Sequence, residues 1–348
     1  MKNLAIALVG AGLIGRRHAE LIAESRECRL SAVVDPAPGA AAFAQAAGVP
    51  HYASLPALFA DARPDGAILA TPNALHAGQA LQCLAAGVAA LIEKPVAHTV
   101  AEGNALLAAA ERSPTKLLVG HHRRHSAIMA KACEIVAAGT LGPLVAVMGS
   151  ALFYKPDGYF DEAPWRRQPG GGPVLINMIH EIGNLRALCG EIVAVQAFGS
   201  NAMRGFPVED TVAINLRFAN GALGTFLLSD TAASARSWEQ TSGENQAYAS
   251  YADEDCYIVA GTMGSLAVPS MRLKTYPRSA DRSWWKPFDT SVVALNAADP
   301  LARQLAHFCA VIRGEAAPLV SVRDGLSNLK VTEAIAEAAR TGATIRIE

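Results

Sequence analysis

The sequence predicts two domains: an α/β domain built on a doubly wound parallel sheet, followed by an α+β domain with a large, open, mostly antiparallel sheet. Three observations lead to this fold class. The chain has 348 residues, which exceeds the usual size of one hydrophobic core. Up to about Gly120, short apolar runs alternate with alanine-rich segments of helical length. Beyond residue 122 apolar and polar residues alternate around glycine and asparagine turns, so we place the domains at 1–122 and 123–348.

In the first domain, five nearly continuous apolar runs are typical of strands buried on both faces. They cover residues 4–10, 30–35, 66–72, 89–95 and 116–120. The segments between them are expected to be helices and cover 12–25, 39–47, 54–62, 73–86 and 99–113. Ser54 is a candidate helix cap, and Thr99 with Glu102 fits a capping box.

In the second domain, the alternating segments predict strands within 141–153, 193–200, 211–230 and 257–269. One helix, 176–190, is expected to interrupt these strands, and an amphipathic helix from about Val322 to Arg340 is expected to close the chain. Residues 279–293 are predicted to form a loop.

Composition excludes several classes of function. The formal net charge is −1, so we expect neither nucleic acid nor a membrane as a partner. Three glycines interrupt the apolar N-terminal run, which argues against a signal peptide, and no segment approaches the ~18 apolar residues of a spanning helix. Six cysteines lie apart without a CxxC pair, which disfavours a zinc site or a disulfide framework. A folded, soluble, cytoplasmic protein is expected.

Three glycines between the first strand and the first helix spell GxGxxG. Gly10 permits a tight turn, Gly12 lets a diphosphate approach the backbone, and Gly15 lets the helix pack on the strand. We expect the intervening Leu13 and Ile14 to contact the same cofactor. The alternative is a glycine-rich surface turn.

Asp35 ends the next strand, where a carboxylate accepts hydrogen bonds from the ribose of a dinucleotide. Its charge repels a 2′-phosphate, and Pro36 follows it rather than an arginine. The sequence therefore favours NAD over NADP as cofactor.

Two further strands end in polar residues, and ligands of parallel sheets bind at the carboxyl ends of strands. Lys94 is expected to point toward the nicotinamide, with Pro95 fixing the turn and a cis peptide bond as an option. The alternative is an ordinary surface lysine. The other cofactor-binding candidates at these strand ends are Thr71, Pro72, Asn73, His76 and Glu93.

Taken in order, the segments GAGLIG, VVDP, ATPNALH, EKP, GHHRRH and GGGPVLINMIHEIG resemble the glucose-fructose oxidoreductase, inositol dehydrogenase and MocA (Gfo/Idh/MocA) family across nearly the whole chain. The resemblance implies a Rossmann domain and an open-faced sheet domain through which homodimers or homotetramers form. It implies hydride transfer between a nicotinamide cofactor and a carbohydrate or cyclic polyol, with Lys94 as the catalytic acid/base.

A chemical argument supports this role of Lys94. Oxidation of a secondary alcohol needs a base within hydrogen-bond reach of the hydroxyl. A free lysine, with a pKa of about 10.4, is mostly protonated at neutral pH. Burial beside a positive nicotinamide ring disfavours that charge and so makes the amine a better base.

The second catalytic candidate, His180, lies on the predicted helix after a triple glycine. Asn177, His180 and Asn184 fall on one helical face, which suits the wall of a cleft, although a core or interface would also accommodate them. Many family members carry an aspartate four residues before this histidine, but that position is Ile176 here. Since an amide cannot exchange a proton as a carboxylate does, His180 is expected to bind the substrate hydroxyl, and whether Asn177 replaces the acid stays open.

The remaining polar candidates are less specific. His121, His122 and His125 lack an acidic partner, so no metal site is predicted. Arginines are candidates for substrate binding because a guanidinium matches a carboxylate, although solvent exposure would explain them equally. These are Arg123, Arg124, Arg166 and Arg167. Trp165 is a candidate aromatic surface for a sugar ring or the nicotinamide, and Lys155, Trp238 and Glu239 are weaker candidates.

The leading hypothesis is an NAD-dependent dehydrogenase or reductase acting on a sugar or cyclic polyol. The first alternative is a dehydrogenase of a carboxylated cyclic diol, such as an arene cis-dihydrodiol, which the arginines would favour. The second is a non-catalytic NAD-binding regulator, against which the presence of both Lys94 and His180 argues.

Overall fold

The structure, a computed structural model, describes residues 3–295 and 298–347. It confirms the predicted fold class: a parallel six-stranded sheet and a mixed, mostly antiparallel nine-stranded sheet. By its contacts the chain forms two compact units. The first holds the residues up to His125 together with Pro300–Leu329, and the second holds Ser126–Asp299 with the residues from Lys330 onward.

The first unit contains six strands and most of the alanine-rich helices. Its strands are β1 (Leu4–Val9), β2 (Cys28–Val34), β3 (His51–Tyr52), β4 (Gly66–Leu69), β5 (Ala89–Glu93) and β6 (Leu117–Gly120). Its helices are α1 (Leu13–Glu24), α2 (Pro38–Ala46), α3 (Leu55–Asp61), α4 (Asn73–Ala86), α5 (Val100–Glu111), α10 (Pro300–Arg313) and the first turns of α11 (Val322–Thr341).

The parallel sheet has the order β3-β2-β1-β4-β5-β6. Because the strand order reverses between β1 and β4, the loops after these two strands diverge and leave a crevice at the carboxyl edge. Apolar side chains cover both faces: α3, α4, α5 and α11 pack on one and α1 and α10 on the other. The predicted caps are present, since Ser54 accepts from the Ala57 amide and Thr99 from the Glu102 amide.

The second unit is built on the larger sheet. Its strands are β7 (Leu144–Leu152), β8 (Ile192–Ser200), β9 (Thr211–Phe218), β10 (Leu223–Ser229), β11 (Tyr257–Gly261), β12 (Gly264–Val268), β13 (Arg272–Thr275), β14 (Asp289–Val292) and β15 (Ile345–Arg346). Its helices are α6 (Ala127–Ala137), α7 (Asp157–Asp161), α8 (Ile179–Cys189), α9 (Trp238–Thr241) and the last turns of α11.

One face of this sheet is buried and the other is open. Along β9 and β10, inward residues such as Ile214 and Phe226 alternate with outward ones such as Asn215 and Leu227. The inward side chains pack against α6, α8 and the end of α11. This alternation is the period-two pattern that predicted the strands.

The structure departs from the sequence-based expectations in several places. The predicted loop at 279–293 contains β14, a fully exposed edge strand whose polar residues gave no apolar alternation to recognise. The elements that were not predicted also include α6, α7, α9, α10, β3, β13 and β15, and α10 belongs to the first unit although it follows the second sheet. The helix expected at 176–190 begins with a π-helical turn, Val174–Met178, before α8. No helix in the described part of the chain is long and apolar enough to span a membrane.

Candidate active site

The turn between β1 and α1 shows why its three glycines differ. Gly10 has a φ of +94°, and a Cβ there would lie 2.6 Å from the Ala70 carbonyl oxygen. A Cβ on Gly15 would lie 2.0 Å from the Gly10 oxygen. A Cβ on Gly12 would meet none of the described residues within 4 Å. Packing within the protein therefore explains the first and third glycines, whereas the space beside Gly12 is open to a ligand.

Asp35 directly follows β2 and touches the same turn. Its carboxylate accepts from the amide of Ala11 at 2.7 Å and from that of Ala37 at 2.8 Å. Leu13 is 88% exposed and Ile14 is half-exposed, so neither packs into the core. Both residues begin α1, directly after the turn that Asp35 touches. The open glycine and the nearby carboxylate fit the diphosphate and ribose of a dinucleotide.

The loops after β4 and β5 are joined by a buried histidine. His76 Nδ1 lies 2.7 Å from the Pro95 oxygen, and its Nε2 lies 2.8 Å from the Thr71 oxygen. Both ring nitrogens are thus engaged by backbone, and His76 connects the two strand ends. The Thr71 hydroxyl donates to Gln79 at 2.6 Å, and Asn73 opens α4 after Pro72. These residues shape the edge of the sheet where the sequence predicted the cofactor.

Glu93 anchors the segment that carries Lys94. The Glu93 carboxylate is buried and lies 2.8 Å from Nε2 of His18 on α1, and it accepts from the Lys94 amide at 3.3 Å. Burial by itself raises the pKa of Glu93, but the hydrogen bond and charge of His18, together with the charges of His122 and Lys94, outweigh it, so that the pKa is lowered. Lys94 is half-buried and its peptide bond to Pro95 is cis, the option that the sequence left open.

The triple glycine and the π-helical turn of the second unit are held by Glu209. Its carboxylate accepts from the Val174 amide at 2.9 Å, and a Cβ on Gly172 would lie 2.6 Å from the same oxygen. Burial raises the pKa of Glu209, which the Val174 amide partly opposes. π-Helical turns are rare and occur frequently at functional sites. The turn carries Asn177 and leads directly to His180, which is buried on α8.

Asn177 is bound to Lys155, one of the less specific candidates in the sequence. The Lys155 ammonium donates to Asn177 Oδ1 at 2.7 Å and lies 3.6 Å from the Asp230 carboxylate. Asp230 in turn accepts from Arg204 Nε at 2.9 Å. These four side chains form one buried polar network in the second unit.

The predicted aromatic and arginine candidates occupy different environments. The Arg166 guanidinium lies 3.8 Å from the centre of the Tyr159 ring and donates to the Tyr159 carbonyl. Trp165 is 55% exposed. Arg123 and Arg124 lie in a 3₁₀ turn of the first unit, His122–His125, and Arg123 is buried there.

The structure thus gathers the site residues into two sets. The first unit brings together the glycine turn, Asp35, His76, Glu93 and Lys94, and the second brings together Asn177, His180 and Lys155. No group of three or more His, Cys, Asp or Glu side chains that could hold a metal occurs within 3–295 and 298–347.

Four polar residues that hold members of these two sets in place were not predicted from the sequence: His18, Arg204, Glu209 and Asp230. Two of them left a signal in the sequence. His18 lies three residues after Gly15 on the buried side of α1, and Asp230 continues the inward alternation of Phe226 and Leu228. A polar residue at an inward position indicates a buried partner. Arg204 and Glu209 lie outside regular elements, where no periodicity applies.

Comparison with known proteins places the chain in a family. Residues 4–121 match the oxidoreductase family with an NAD-binding Rossmann fold, GFO/IDH/MocA, and residues 129–267 match the GFO/IDH/MocA C-terminal domain. The chain belongs to the GFO/IDH/MocA family. It is therefore an oxidoreductase with an NAD-binding domain, as the resemblance of its motifs indicated.

Individual relatives cover most of the chain. It is 27% identical over 302 residues to 1,5-anhydro-D-fructose reductase of Ensifer adhaerens, with 85% of this chain and 83% of that protein covered. It is 25% identical to inositol 2-dehydrogenase of Rhizobium meliloti (strain 1021), with 94% of each covered. Among solved structures, aldose-aldose oxidoreductase from Caulobacter crescentus, complexed with glycerol, has a TM-score of 0.79 and 26% identity and covers 99% of this chain and 100% of its own.

Proposed function

We propose that this protein transfers hydride between NAD and a secondary alcohol of a sugar or cyclic polyol, with Lys94 as acid/base and His180 as hydrogen-bond partner of the reacting hydroxyl. The observation that carries the proposal is the placement of Lys94. It follows β5 at the carboxyl edge of the parallel sheet, and the buried Glu93–His18 pair fixes its backbone. The relatives named above as sugar or polyol oxidoreductases support the substrate class.

The side chains divide the chemistry between them. Bound NAD supplies the acceptor of the hydride. As the alcohol is oxidised, the hydroxyl proton has to leave, and the neutral amine of Lys94 takes it at Nζ; in the reverse direction the ammonium returns it. His180 holds the oxygen in place by a hydrogen bond. The Glu93 carboxylate, whose pKa is lowered, stays ionised and keeps the Lys94 backbone in position.

NAD is favoured over NADP by the position of Asp35. Its carboxylate lies within hydrogen-bond distance of the glycine turn. A 2′-phosphate on the adenosine ribose would place its negative charge against this carboxylate, whereas a free 2′-hydroxyl would donate to it.

A carboxylated diol is the less favoured substrate. Arg166 already stacks on Tyr159 and donates to its carbonyl, and Arg123 is buried in a 3₁₀ turn. Neither guanidinium is exposed in a way that would let two of its N–H groups bind a carboxylate.

The test combines a substrate panel with Lys94→Met. Purified protein is incubated with NAD+ or NADP+ and a panel of sugars, inositols and carboxylated cis-diols while reduced nicotinamide is monitored at 340 nm. We expect turnover of a sugar or inositol with NAD+, and a loss of at least 10³-fold in kcat for Lys94→Met with unchanged NADH affinity. Lys131→Met, which removes an exposed lysine paired with Glu134, is the matched control and keeps full activity. Turnover that persists in Lys94→Met would refute the assignment.

A further inference from the structure

Lys155 is a buried lysine on the segment after β7. It is 9% exposed, and its ammonium lies 4.9 Å from the Tyr159 ring centre and 5.4 Å from that of Phe153. It donates to Asn177 Oδ1 at 2.7 Å and faces Asp230 at 3.6 Å. A buried lysine is costly unless its charge has such partners, so the position calls for an explanation beyond packing.

The contact between Lys155 and Asn177 fixes the orientation of the amide. An ammonium group only donates hydrogen bonds, so the oxygen of Asn177 has to face it and the NH2 group has to face away. Among the described residues, the Asn177 nitrogen has no hydrogen-bond partner, and the three N–H bonds of Lys155 meet only two acceptors. Lys155 and Asn177 thus each have an N–H group that can donate to a ligand beside the turn that leads to His180.

The charged groups around Lys155 are of mixed sign, with carboxylates in the majority. Lys155 and Arg204 both lie beside the buried Asp230 carboxylate, and the Arg204 amide donates to the buried Asp210. The other charged groups nearby are Arg166, Glu209 and Glu239. Such surroundings suit an uncharged ligand atom more than a carboxylate.

We propose that Lys155 and Asn177 together bind one uncharged substrate oxygen, a hydroxyl of the sugar or polyol, by donating one hydrogen bond each. The proposal rests on the proposed function and defines how its substrate is recognised. Ile176 stands where many family members carry an aspartate, so it offers no carboxylate to the substrate. The Lys155–Asn177 pair therefore distinguishes polyols by whether a hydroxyl lies at the position that the pair binds. Lys155 both touches the substrate and orients Asn177.

The first test needs no turnover. Side-chain amides are observed by NMR in protein labelled with ¹⁵N-asparagine, and the Asn177 signal is identified by its loss in Asn177→Asp. Burial lowers the pKa of Lys155 to about 8, which the carboxylates of Asp230 and Glu239 oppose. We therefore expect the Asn177 signal to shift with a midpoint near pH 8 in the wild type and not in Lys155→Met. A signal insensitive to this substitution would overturn the pairing, whatever the enzyme oxidises.

The second test asks which substrate oxygen is bound. kcat/KM is measured with myo-inositol and its monodeoxy analogues for the wild type, Lys155→Met, Lys155→Arg, Asn177→Asp and the control Lys131→Met. We expect one analogue to lose at least tenfold in the wild type. Lys155→Met and Asn177→Asp should lose about tenfold with myo-inositol, as expected for one hydrogen bond, and show no further loss with that analogue.

The outcome separates recognition from a merely structural role. Lys155→Arg keeps a donor and is expected to retain part of the discrimination, and Lys131→Met should match the wild type. If each analogue lowers kcat/KM by the same factor in the variants as in the wild type, the donor pair does not bind a substrate hydroxyl and the inference is wrong.

Discussion

At the scale of single residues, the Glu93–His18 hydrogen bond connects the helix after the glycine turn to the strand that carries Lys94. Both side chains are buried, and Nε2 of His18 lies 2.8 Å from the carboxylate. A buried carboxylate without a donor costs free energy, so His18 stabilises the fold as well as the position of Lys94.

Replacing His18 by leucine tests this pair. We expect the free energy of unfolding at pH 7 to fall by about 1–3 kcal/mol, because Glu93 loses its buried partner. The pKa of Glu93 is lowered from its ordinary value of 4.5, so this stabilisation is present above pH 4.5 and is lost as the pH falls through the folded-state pKa. Urea unfolding at pH 7 and at lower pH measures the difference between variant and wild type, which should shrink on acidification.

The exposed His98, replaced by leucine, provides the control and should leave the unfolding free energy within about 0.5 kcal/mol of the wild type. A His18→Leu protein as stable as the wild type at pH 7 would contradict the role of the pair.

Residue-level roles were only partly predictable from sequence. Lys94 and Asp35 stand directly after apolar runs, so the strand pattern itself places them at the carboxyl edge. Lys155 was rated low because its partners, Asn177 and Asp230, are 22 and 75 positions away along the chain. No local periodicity reports a contact between segments so far apart.

At the scale of elements, the glycines between β1 and α1 serve two different purposes: one is needed for folding and another leaves space for a ligand. Gly15 has no room for a Cβ, whereas Gly12 has open space around it. Gly12 also has a φ of −71°, an ordinary value for any residue. Nothing in the described part of the chain therefore requires a glycine at position 12.

The two glycines should respond differently to alanine. Gly12→Ala is expected to keep the melting temperature of the wild type but to weaken NADH binding at least tenfold, because its methyl group occupies the place of the diphosphate. Gly15→Ala, the matched comparison, should lower the melting temperature by several degrees through its clash with the Gly10 carbonyl. Thermal melts and fluorescence titration with NADH measure both effects. NADH affinity unchanged in Gly12→Ala would show that the dinucleotide lies elsewhere.

Regular elements were easier to predict than their interruptions. Continuous apolar runs identified five of the six strands of the parallel sheet, all but β3, and residue type identified the caps at Ser54 and Thr99, because each signal lies within one segment. The π-helical turn before α8 depends on Glu209, which holds its first amide from 35 positions away. The exposed strand β14 lacks an apolar face, so its sequence shows no alternation from which its pairing with β13 could be predicted.

At the scale of the whole molecule, the large sheet leaves one face uncovered by its own helices. Apolar side chains stand on it at high exposure: Phe198 at 70%, Met148 and Leu223 at 55% and Leu227 at 42%. They belong to the adjacent strands β7 and β10 and to β8, which lies beyond β9 in the same sheet. An exposed apolar surface of this kind marks an interaction site, and a second copy of the chain is the partner that the family resemblance implies.

Two aspartate substitutions on this face test self-association. Phe198→Asp and Leu227→Asp place charges where the apolar face would be buried, and such a charge opposes association. Light scattering after size-exclusion chromatography should give the wild type a mass of two or four times 36.3 kDa and the double variant the mass of one chain. Leu319→Asp, at an exposed leucine of the first unit, serves as control and should not change the mass. If the wild type elutes as a single chain, or if the double variant keeps its assembly, the open face is not where copies of this protein meet, and its apolar residues need another partner.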